Sequence, residues 1–253
     1  MRVDTWFHCR RSNPRARLRL LCFPYAGGGV PIFRAWPDLL PPEIEVWAIQ
    51  LPGRDGRLRE PIPDDLETLA LAVANGLGPL LDTPFACFGH SMGALLAFEF
   101  ARQIRRRDQP GPTHLFVSAR RAPQLPRTDT PLHTLPEGPF IEMLRQRYNG
   151  IPAAILAEPE LLELFLPMLR ADFKMIETYQ YREEAPLDCP IMAFGGALDE
   201  WALPDELTGW QAQTHRAFKM QLFPGGHFYL QAALPQLVTA VARELTPDDS
   251  SGG

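Results

Sequence analysis

The feature that most constrains this 253-residue chain is the pentapeptide Gly-His-Ser-Met-Gly at positions 89–93. An apolar run, Phe85 to Phe88, precedes it, and a helix-forming run that starts at Ala94 follows it. This order predicts a strand, a sharp turn with Ser91 at its apex, and a helix. Such a turn holds the serine in a strained conformation and projects its hydroxyl outwards. The pattern is typical of a nucleophile; the alternative is a turn that only joins two buried elements.

Apolar runs of strand length alternate with helical patterns along most of the chain. The predicted strands are 17–23, 45–50, 85–88, 114–118, 191–194 and 218–223, and the predicted helices are 66–81, 94–107, 205–213 and 230–245. This alternation predicts an α/β fold with a mostly parallel sheet and helices on both faces. Because α/β folds often reach this length as one unit, we expect a single domain over residues 1–253.

The alternation breaks between Arg120 and Pro190. Prolines open this stretch as an irregular connector, and two apolar patterns of helical period follow at 140–148 and 161–176. Pro167 should kink or restart the second helix. Insertions of this kind can cover an active site, so we expect a helical lid over about 121–187. The alternative is a helical subdomain that only enlarges the core.

A serine nucleophile needs a base and a group that orients the base. Among the six histidines, His227 follows the last predicted strand through a Pro-Gly-Gly loop, at the sheet edge where Ser91 lies. Asp199 follows the preceding strand, and the chain order serine, acid, histidine fits this kind of turn. Asp199 would hold the imidazole tautomer and stabilise the imidazolium. Glu200 is the nearest alternative acid.

The developing oxyanion in such a site needs two N–H donors. The Met92 amide, at the start of the helix, is predicted to be one of them. The other should come from the loop Pro-Tyr-Ala-Gly-Gly-Gly at 24–29, after an early strand; we predict Ala26, with Tyr25 as the alternative. This loop lacks the lysine and the spacing of phosphate-binding loops. No cysteine or histidine spacing indicates a metal, so we expect neither a metal nor a cofactor.

Composition excludes several classes of protein. The net charge of −5 gives no attraction to nucleic acid, and no apolar run reaches the ~18 residues of a membrane helix. The first 17 residues are polar and rich in arginine, which is unlike a signal peptide. Three of the four cysteines lie in or beside apolar runs, as small buried hydrophobes do. We therefore expect a cytoplasmic, reducing location.

Several motifs together resemble those of the type II thioesterases, stand-alone α/β-hydrolases that accompany polyketide synthases and nonribosomal peptide synthetases. The resemblance spans roughly residues 18–245. The motifs are Phe-Pro-Tyr-Ala-Gly-Gly at 23–28, Leu-Pro-Gly-Arg at 51–54, the pentapeptide around Ser91, Ser-Ala-Arg-Arg-Ala-Pro at 118–123, Phe-Gly-Gly at 194–196 before Asp199, and Gly-Gly-His-Phe at 225–228.

The resemblance implies an α/β-hydrolase fold and hydrolysis of acyl thioesters on the phosphopantetheine arm of carrier proteins. The usual role of such enzymes is editing, which is the removal of misprimed or stalled acyl groups. The resemblance implies that the reaction passes through an acyl-enzyme. The lid would supply an apolar acyl pocket from Phe140, Met143, Leu144, Phe165 and Met168. Arginines near the entrance would dock an acidic carrier protein; the candidates are Arg54, Arg57, Arg59, Arg120 and Arg121.

Three alternatives remain open on the same sequence. A general carboxylesterase would share every predicted catalytic residue, and so would an acyltransferase that passes the acyl group to an alcohol or amine. A non-catalytic protein that only binds carrier proteins is the third. The serine, aspartate and histidine in that chain order argue against the third, because a binding module needs none of them.

Overall fold

A seven-stranded sheet forms the centre of the protein, whose computed structural model describes residues 5–77, 82–127, 130–148 and 158–246. The strands are β1 (Phe7–His8), β2 (Leu18–Phe23), β3 (Ile44–Ile49), β4 (Phe85–His90), β5 (Leu115–Ser118), β6 (Ile191–Gly196) and β7 (Phe218–Phe223). Their order is β1-β3-β2-β4-β5-β6-β7, with β1 antiparallel to β3 and every other pair parallel. The predicted mostly parallel sheet is confirmed. Sequence reasoning missed β1, whose two residues are too few to show a pattern.

The helices differ from the predicted ones mainly at their ends. They are α1 (Trp36–Leu39), α2 (Leu66–Gly76), α3 (Met92–Arg105), α4 (Glu137–Tyr148), α5 (Pro159–Thr178), α6 (Pro204–Thr208), α7 (Tyr229–Ala232) and α8 (Leu234–Leu245). The helix predicted at 205–213 continues after α6 as a 3-10 helix, Gly209–Gln213. The one predicted at 230–245 is divided at Ala233, because Pro235 starts a new first turn. Of the helix predicted at 66–81, residues 78–81 lie outside the described part.

Both faces of the sheet are buried, as parallel strands require. Along β2 the side chains alternate: Leu20 and Cys22 pack into a cluster with residues of α1 and α8. Leu21 and Phe23 point the other way, into a cluster with residues of α2 and α3. Helices therefore cover both faces. No helix of the described residues is long and apolar enough to cross a membrane.

The chain between β5 and β6 carries α4 and α5, which build a third apolar cluster of their own. Its buried members are Leu132, Phe140, Leu144, Leu166, Leu169 and Phe173. The helix α5 continues through Pro167 instead of restarting there. Residues 128–129 and 149–157 of the predicted insertion at 121–187 lie outside the described part. That the insertion acts as a lid stays a prediction.

Two glycines let the turn around Ser91 form where β2, β4 and α3 meet. A Cβ atom on Gly89 would lie 2.1 Å from the Gly93 carbonyl oxygen, and one on Gly93 would lie 2.1 Å from the Phe23 carbonyl oxygen. These neighbours are backbone atoms, which cannot rotate out of the way as a side chain can. Any larger residue at either position therefore has to move a strand or the helix.

Gly93→Ala should destabilise the protein and displace the Ser91 turn, because the added methyl group meets the carbonyl of Phe23. We expect the free energy of unfolding in urea to fall by at least about 1–3 kcal/mol, the usual cost of overpacking. Gly111→Ala is the matched control, since nothing lies within 4 Å of a Cβ atom there. An unchanged urea midpoint for Gly93→Ala would show that the protein accommodates the added methyl group without loss of stability.

Candidate active site

Ser91 lies at the apex of the turn between β4 and α3, as the sequence predicts. Its backbone has φ 53° and ψ −114°, a conformation that residues with a Cβ atom rarely adopt. Its N–H donates to the Ser118 carbonyl oxygen at 2.8 Å, which ties the turn to the end of β5. The surrounding structure holds the strain and leaves the hydroxyl at the carboxyl edge of the sheet.

Ser91, His227 and Asp199 form a hydrogen-bonded chain. The His227 Nε2 atom lies 3.0 Å from Ser91 Oγ, and the His227 Nδ1 atom lies 2.9 Å from Asp199 Oδ2. Because an ionised carboxylate only accepts, Nδ1 carries the proton and Nε2 can accept the serine proton. Asp199 is buried, and its Oδ1 accepts the Trp201 N–H at 2.9 Å. The alternative acid, Glu200, is exposed.

His90, beside Ser91 in the chain, points away from the cavity. Its Nδ1 lies 2.8 Å from Ser118 Oγ, which in turn lies 2.6 Å from the Tyr229 hydroxyl. Burial and the nearby His227 lower the pKa of His90 well below its ordinary 6.5. His90 therefore stays neutral and adds no second positive charge beside His227. No motif marks Ser118 or Tyr229 as partners, because only the folded sheet brings them together.

A cavity of about 60 Å³ opens beside Ser91 and His227. Its apolar wall comes largely from one face of α5, where Leu169, Phe173 and Ile176 follow at helical spacing. The other lining residues are Tyr25, Ala26, Ala119, Arg120, Arg121, Arg127, Leu144, Trp201 and Phe228. The sequence pattern indicated that α5 buries an apolar face but not which turn of the helix reaches the site.

Of the five residues predicted to form the acyl pocket, the structure places only Leu144 on the cavity wall. Phe140 is fully buried in the cluster between α4 and α5, and Met143 packs against that cluster. The Phe165 ring covers Gly27, and Met168 lies beside Gly53. These four are placed elsewhere because Phe140 and Met143 pack between α4 and α5, whereas Phe165 and Met168 face the loops that contain Gly27 and Gly53.

The two predicted oxyanion donors lie on either side of the serine. Met92 is the first residue of α3, and Ala26 lines the cavity beside Ser91. Among the hydrogen bonds of the described residues, none uses the amide N–H of Met92 or of Ala26. Neither amide therefore has a partner among the described residues, and the Met92 amide lies at the N-terminus of α3, where the peptide dipoles favour negative charge. Tyr25, the alternative, also lines the cavity.

Two of the predicted docking arginines are buried in ion pairs and cannot meet a partner protein. Arg54 pairs with Asp172, and Arg57 pairs with Glu60 and lies over the Trp6 ring. Arg59 is exposed, as predicted for a docking residue. A sequence motif shows that an arginine is present, but it does not show that the arginine is paired with a carboxylate inside the fold.

The last two predicted docking arginines, Arg120 and Arg121, line the cavity itself. Arg121 pairs with Glu206 at 2.8 Å. No group of three or more His, Cys, Asp or Glu residues in the described ranges could hold a metal ion. The site thus combines a serine, its hydrogen-bonded base, free amide donors and an apolar wall, which together suit attack on an acyl carbonyl.

Comparison with known proteins agrees with this chemistry. A family model described as a thioesterase domain matches residues 18–246. The gramicidin S biosynthesis protein GrsT of Aneurinibacillus migulanus is 43% identical over 243 residues, covering 96% of this chain and 94% of that protein. Thioesterase PikA5 of Streptomyces venezuelae is 39% identical over 233 residues, 91% of this chain and 82% of PikA5.

Solved structures give the same result. RedJ, a thioesterase from the prodiginine pathway of Streptomyces coelicolor, superposes with a TM-score of 0.85 and 42% identity, covering 90% of this chain and 91% of RedJ. The type II thioesterase BorB from the borrelidin cluster gives a TM-score of 0.85 and 34% identity, covering 97% of this chain and 98% of BorB. The α/β-hydrolase fold expected from the resemblance is confirmed.

Acidification should destabilise the fold through His90. Its pKa is lower in the folded state than the 6.5 of an unfolded histidine, so the folded protein binds fewer protons. The stability from its neutral burial is present above pH 6.5 and is lost as the pH falls below it. We expect the free energy of unfolding to decrease by up to about 1.4 kcal/mol per pH unit below that point.

Urea denaturation of the wild type and of His90→Asn between about pH 5 and 7 tests this expectation. The variant should show a shallower dependence on pH. His114, whose pKa burial also lowers, is present in both proteins and cancels in the difference. Parallel slopes would mean that His90 accepts a proton inside the fold.

Proposed function

The chain belongs to the thioesterase domain family, and we propose that it hydrolyses acyl thioesters on the phosphopantetheine arm of carrier proteins in an assembly-line synthase. The observation that carries the proposal is the hydrogen-bonded chain Asp199–His227–Ser91, open to a cavity with an apolar wall. Relatives named for gramicidin S biosynthesis and for the prodiginine pathway support the choice of carrier-bound substrates. Editing of misprimed or stalled acyl groups is the role that the resemblance to type II thioesterases implies.

In the first half of the proposed reaction, Ser91 Oγ attacks the thioester carbonyl while His227 Nε2 takes the hydroxyl proton. Asp199 stabilises the imidazolium by accepting the Nδ1 hydrogen bond. The Met92 and Ala26 amides donate to the oxyanion as it forms. When the tetrahedral intermediate collapses, the carbon–sulfur bond breaks and His227 returns its proton to the departing pantetheine sulfur. The acyl group remains on Ser91 as an ester.

In the second half, water takes the place of the pantetheine thiol. His227 removes a proton from this water as it attacks the ester carbonyl, and the same amides stabilise the second oxyanion. Collapse breaks the bond to Ser91 Oγ, which regains its proton from His227. The products are a free acid and a carrier arm with a free thiol, and no step requires a cofactor.

We also propose that residues 1–253 act as one domain in which part of the 121–187 insertion moves as a lid. The second half of α5 is fastened to the body by the ion pairs of Asp172 with Arg54 and of Lys174 with Asp64. Motion that admits substrate would then be confined to α4 and the first half of α5. Leu144 of α4 lines the cavity, so this movement would change the volume open to the acyl chain.

Ser91→Ala should abolish turnover, by a factor on the order of 10⁶ in kcat, because it removes the hydroxyl that is hydrogen-bonded to the base His227. His227→Ala should cost about as much, and Asp199→Asn about 10⁴ or less, because the acid only orients and stabilises the imidazole. A fluorophosphonate should label Ser91. Glu200→Gln is the matched control and should keep wild-type activity. Comparable activity in Asp199→Asn with a large loss in Glu200→Gln would transfer the role to Glu200.

Hydrolysis rates of one acyl group attached to four different leaving groups distinguish the proposed activity from that of a general carboxylesterase. The four substrates are the acyl carrier protein thioester, the acyl-pantetheine thioester, the acyl-N-acetylcysteamine thioester and an oxygen ester. We expect kcat/KM to fall in that order, by about tenfold or more from first to last, because remote binding energy contributes to catalysis. Equal rates for thioester and oxygen ester would favour the carboxylesterase. Transfer of the acyl group to an added alcohol or amine would favour an acyltransferase.

A further inference from the structure

A buried ion pair joins helix α5 to the loop that follows β3. Asp172 on α5 is 0% exposed, and Arg54 on the loop is 5% exposed. The guanidinium meets the carboxylate with two hydrogen bonds, 2.6 Å from Nη2 to Oδ1 and 2.8 Å from Nη1 to Oδ2. Removing both charges from water costs free energy that an apolar pair of the same volume would not incur. Stability alone therefore gives no reason for a charged pair at this place.

Arg54 Nε donates to the Pro52 carbonyl oxygen at 3.3 Å, and the other hydrogen bonds of the pair go to one turn. Asp172 Oδ2 accepts the Gly27 N–H at 2.8 Å, and Arg54 Nη1 donates to the Gly28 carbonyl oxygen at 3.0 Å. The turn runs from Tyr25 to Gly28 and is closed by the Gly28 N–H donating to the Tyr25 carbonyl oxygen at 2.9 Å. One ion pair thus holds a donor and an acceptor of two successive glycines.

These bonds select the conformation of the turn. Gly27 has φ +76°, the value expected at the third residue of a type II turn. Type I and type II turns differ by rotation of the central peptide plane, here the plane between Ala26 and Gly27. The Gly27 N–H belongs to that plane and is the group that Asp172 holds. A rotation of this plane would break the bond to a buried carboxylate.

The orientation of the turn also decides where the Ala26 N–H points. The Tyr25 carbonyl and the Ala26 N–H belong to one planar trans peptide, in which they point in opposite directions. The carbonyl faces into the turn, toward the Gly28 N–H, so the Ala26 N–H faces out of it. Ala26 lines the cavity beside Ser91, where the proposed reaction develops its oxyanion.

Helix α5 is seated on this turn along one face. Phe165, Leu169 and Asp172 follow at helical spacing, and a Cβ atom on Gly27 would lie within 2.9 Å of the Phe165 and Leu169 side chains. The turn therefore has no room to relax without moving the helix. Its geometry depends on the position of α5, which carries most of the apolar cavity wall.

From this geometry we infer that Asp172 and Arg54 are positioning residues, which hold the Tyr25–Gly28 turn so that the Ala26 N–H is oriented to donate to the oxyanion. Because Asp172 lies on α5, the orientation of this N–H depends on the position of the helix. The inference rests on the proposed function, in which Ala26 is an oxyanion donor. The pair touches no reacting atom and acts only through the turn.

The test replaces the pair by apolar residues of similar volume, Arg54→Met together with Asp172→Leu. This double variant removes the bonds to the turn without leaving a buried charge unpaired, so the fold should survive. We expect kcat to fall about 10- to 100-fold, somewhat less than for full loss of an oxyanion donor, with KM within about twofold. Lys219→Met, which removes an ion pair of β7 with Glu244 on α8, is the matched control and should change neither.

Two inhibitors provide a readout that a purely structural role would not change. A trifluoromethyl ketone thioether adds to Ser91 and carries an oxyanion in its adduct, whereas the corresponding alcohol carries none. In the double variant the ketone should bind more weakly by the same factor as the loss in kcat, while the alcohol binds as to wild type. A folded double variant with wild-type kcat and wild-type ketone affinity would overturn the inference.

A second variant tests the inference if the first one cannot be studied. If the double variant does not fold, Arg54→Lys, which keeps a positive charge opposite Asp172 but loses the fork-shaped guanidinium, is measured with the same two inhibitors. A selective loss of ketone affinity supports the inference, and equal effects on ketone and alcohol overturn it. Failure of the proposed function would look different, because the wild type would then hydrolyse thioester and oxygen ester at equal rates or transfer the acyl group to an added alcohol or amine, whichever result the two inhibitors give.

Discussion

The close approach of three backbones at the end of β4 is the constraint on which the rest of the site depends. Gly89 and Gly93 leave no space for a Cβ atom, so β2, β4 and the start of α3 contact one another directly. This contact forces Ser91 into its strained conformation and brings the loop after β2 to the same place. The serine hydroxyl, the Met92 amide and the Ala26 amide consequently share one small region, although they come from two separate stretches of chain.

A second close approach of the same kind joins the loops that carry the acid and the base. A Cβ atom on Gly196, the last residue of β6, would lie 2.3 Å from the Gly226 carbonyl oxygen, one residue before His227. The Leu198 N–H donates to the Gly225 carbonyl oxygen at 2.8 Å and ties the two loops again. The relative position of Asp199 and His227 therefore depends on backbone contacts.

The buried charges on the two sides of Ser91 are compensated in different ways. On one side Asp199 is buried with both oxygens occupied, and His90 is held neutral by burial, so that the negative charge faces a single imidazole. On the other side Asp172 and Arg54 compensate each other, so that α5 places no unpaired charge there. Both arrangements follow one rule, that a buried charge persists only when its hydrogen-bonding capacity is satisfied.

The sequence by itself determined the parallel sheet, the turn at Ser91 and the sheet edge at which Asp199 and His227 would lie, because these follow from local patterns and chain order. Only the tertiary structure decided what each buried face meets. Helical period showed that α5 has an apolar face but not that Phe165 would cover Gly27 while Phe173 reached the cavity. Likewise, the sequence shows that Arg54 is charged but not that it pairs with Asp172, which lies 118 positions away in the chain. Periodicity is a property of one segment, whereas the partner of a face or a charge depends on how distant segments pack.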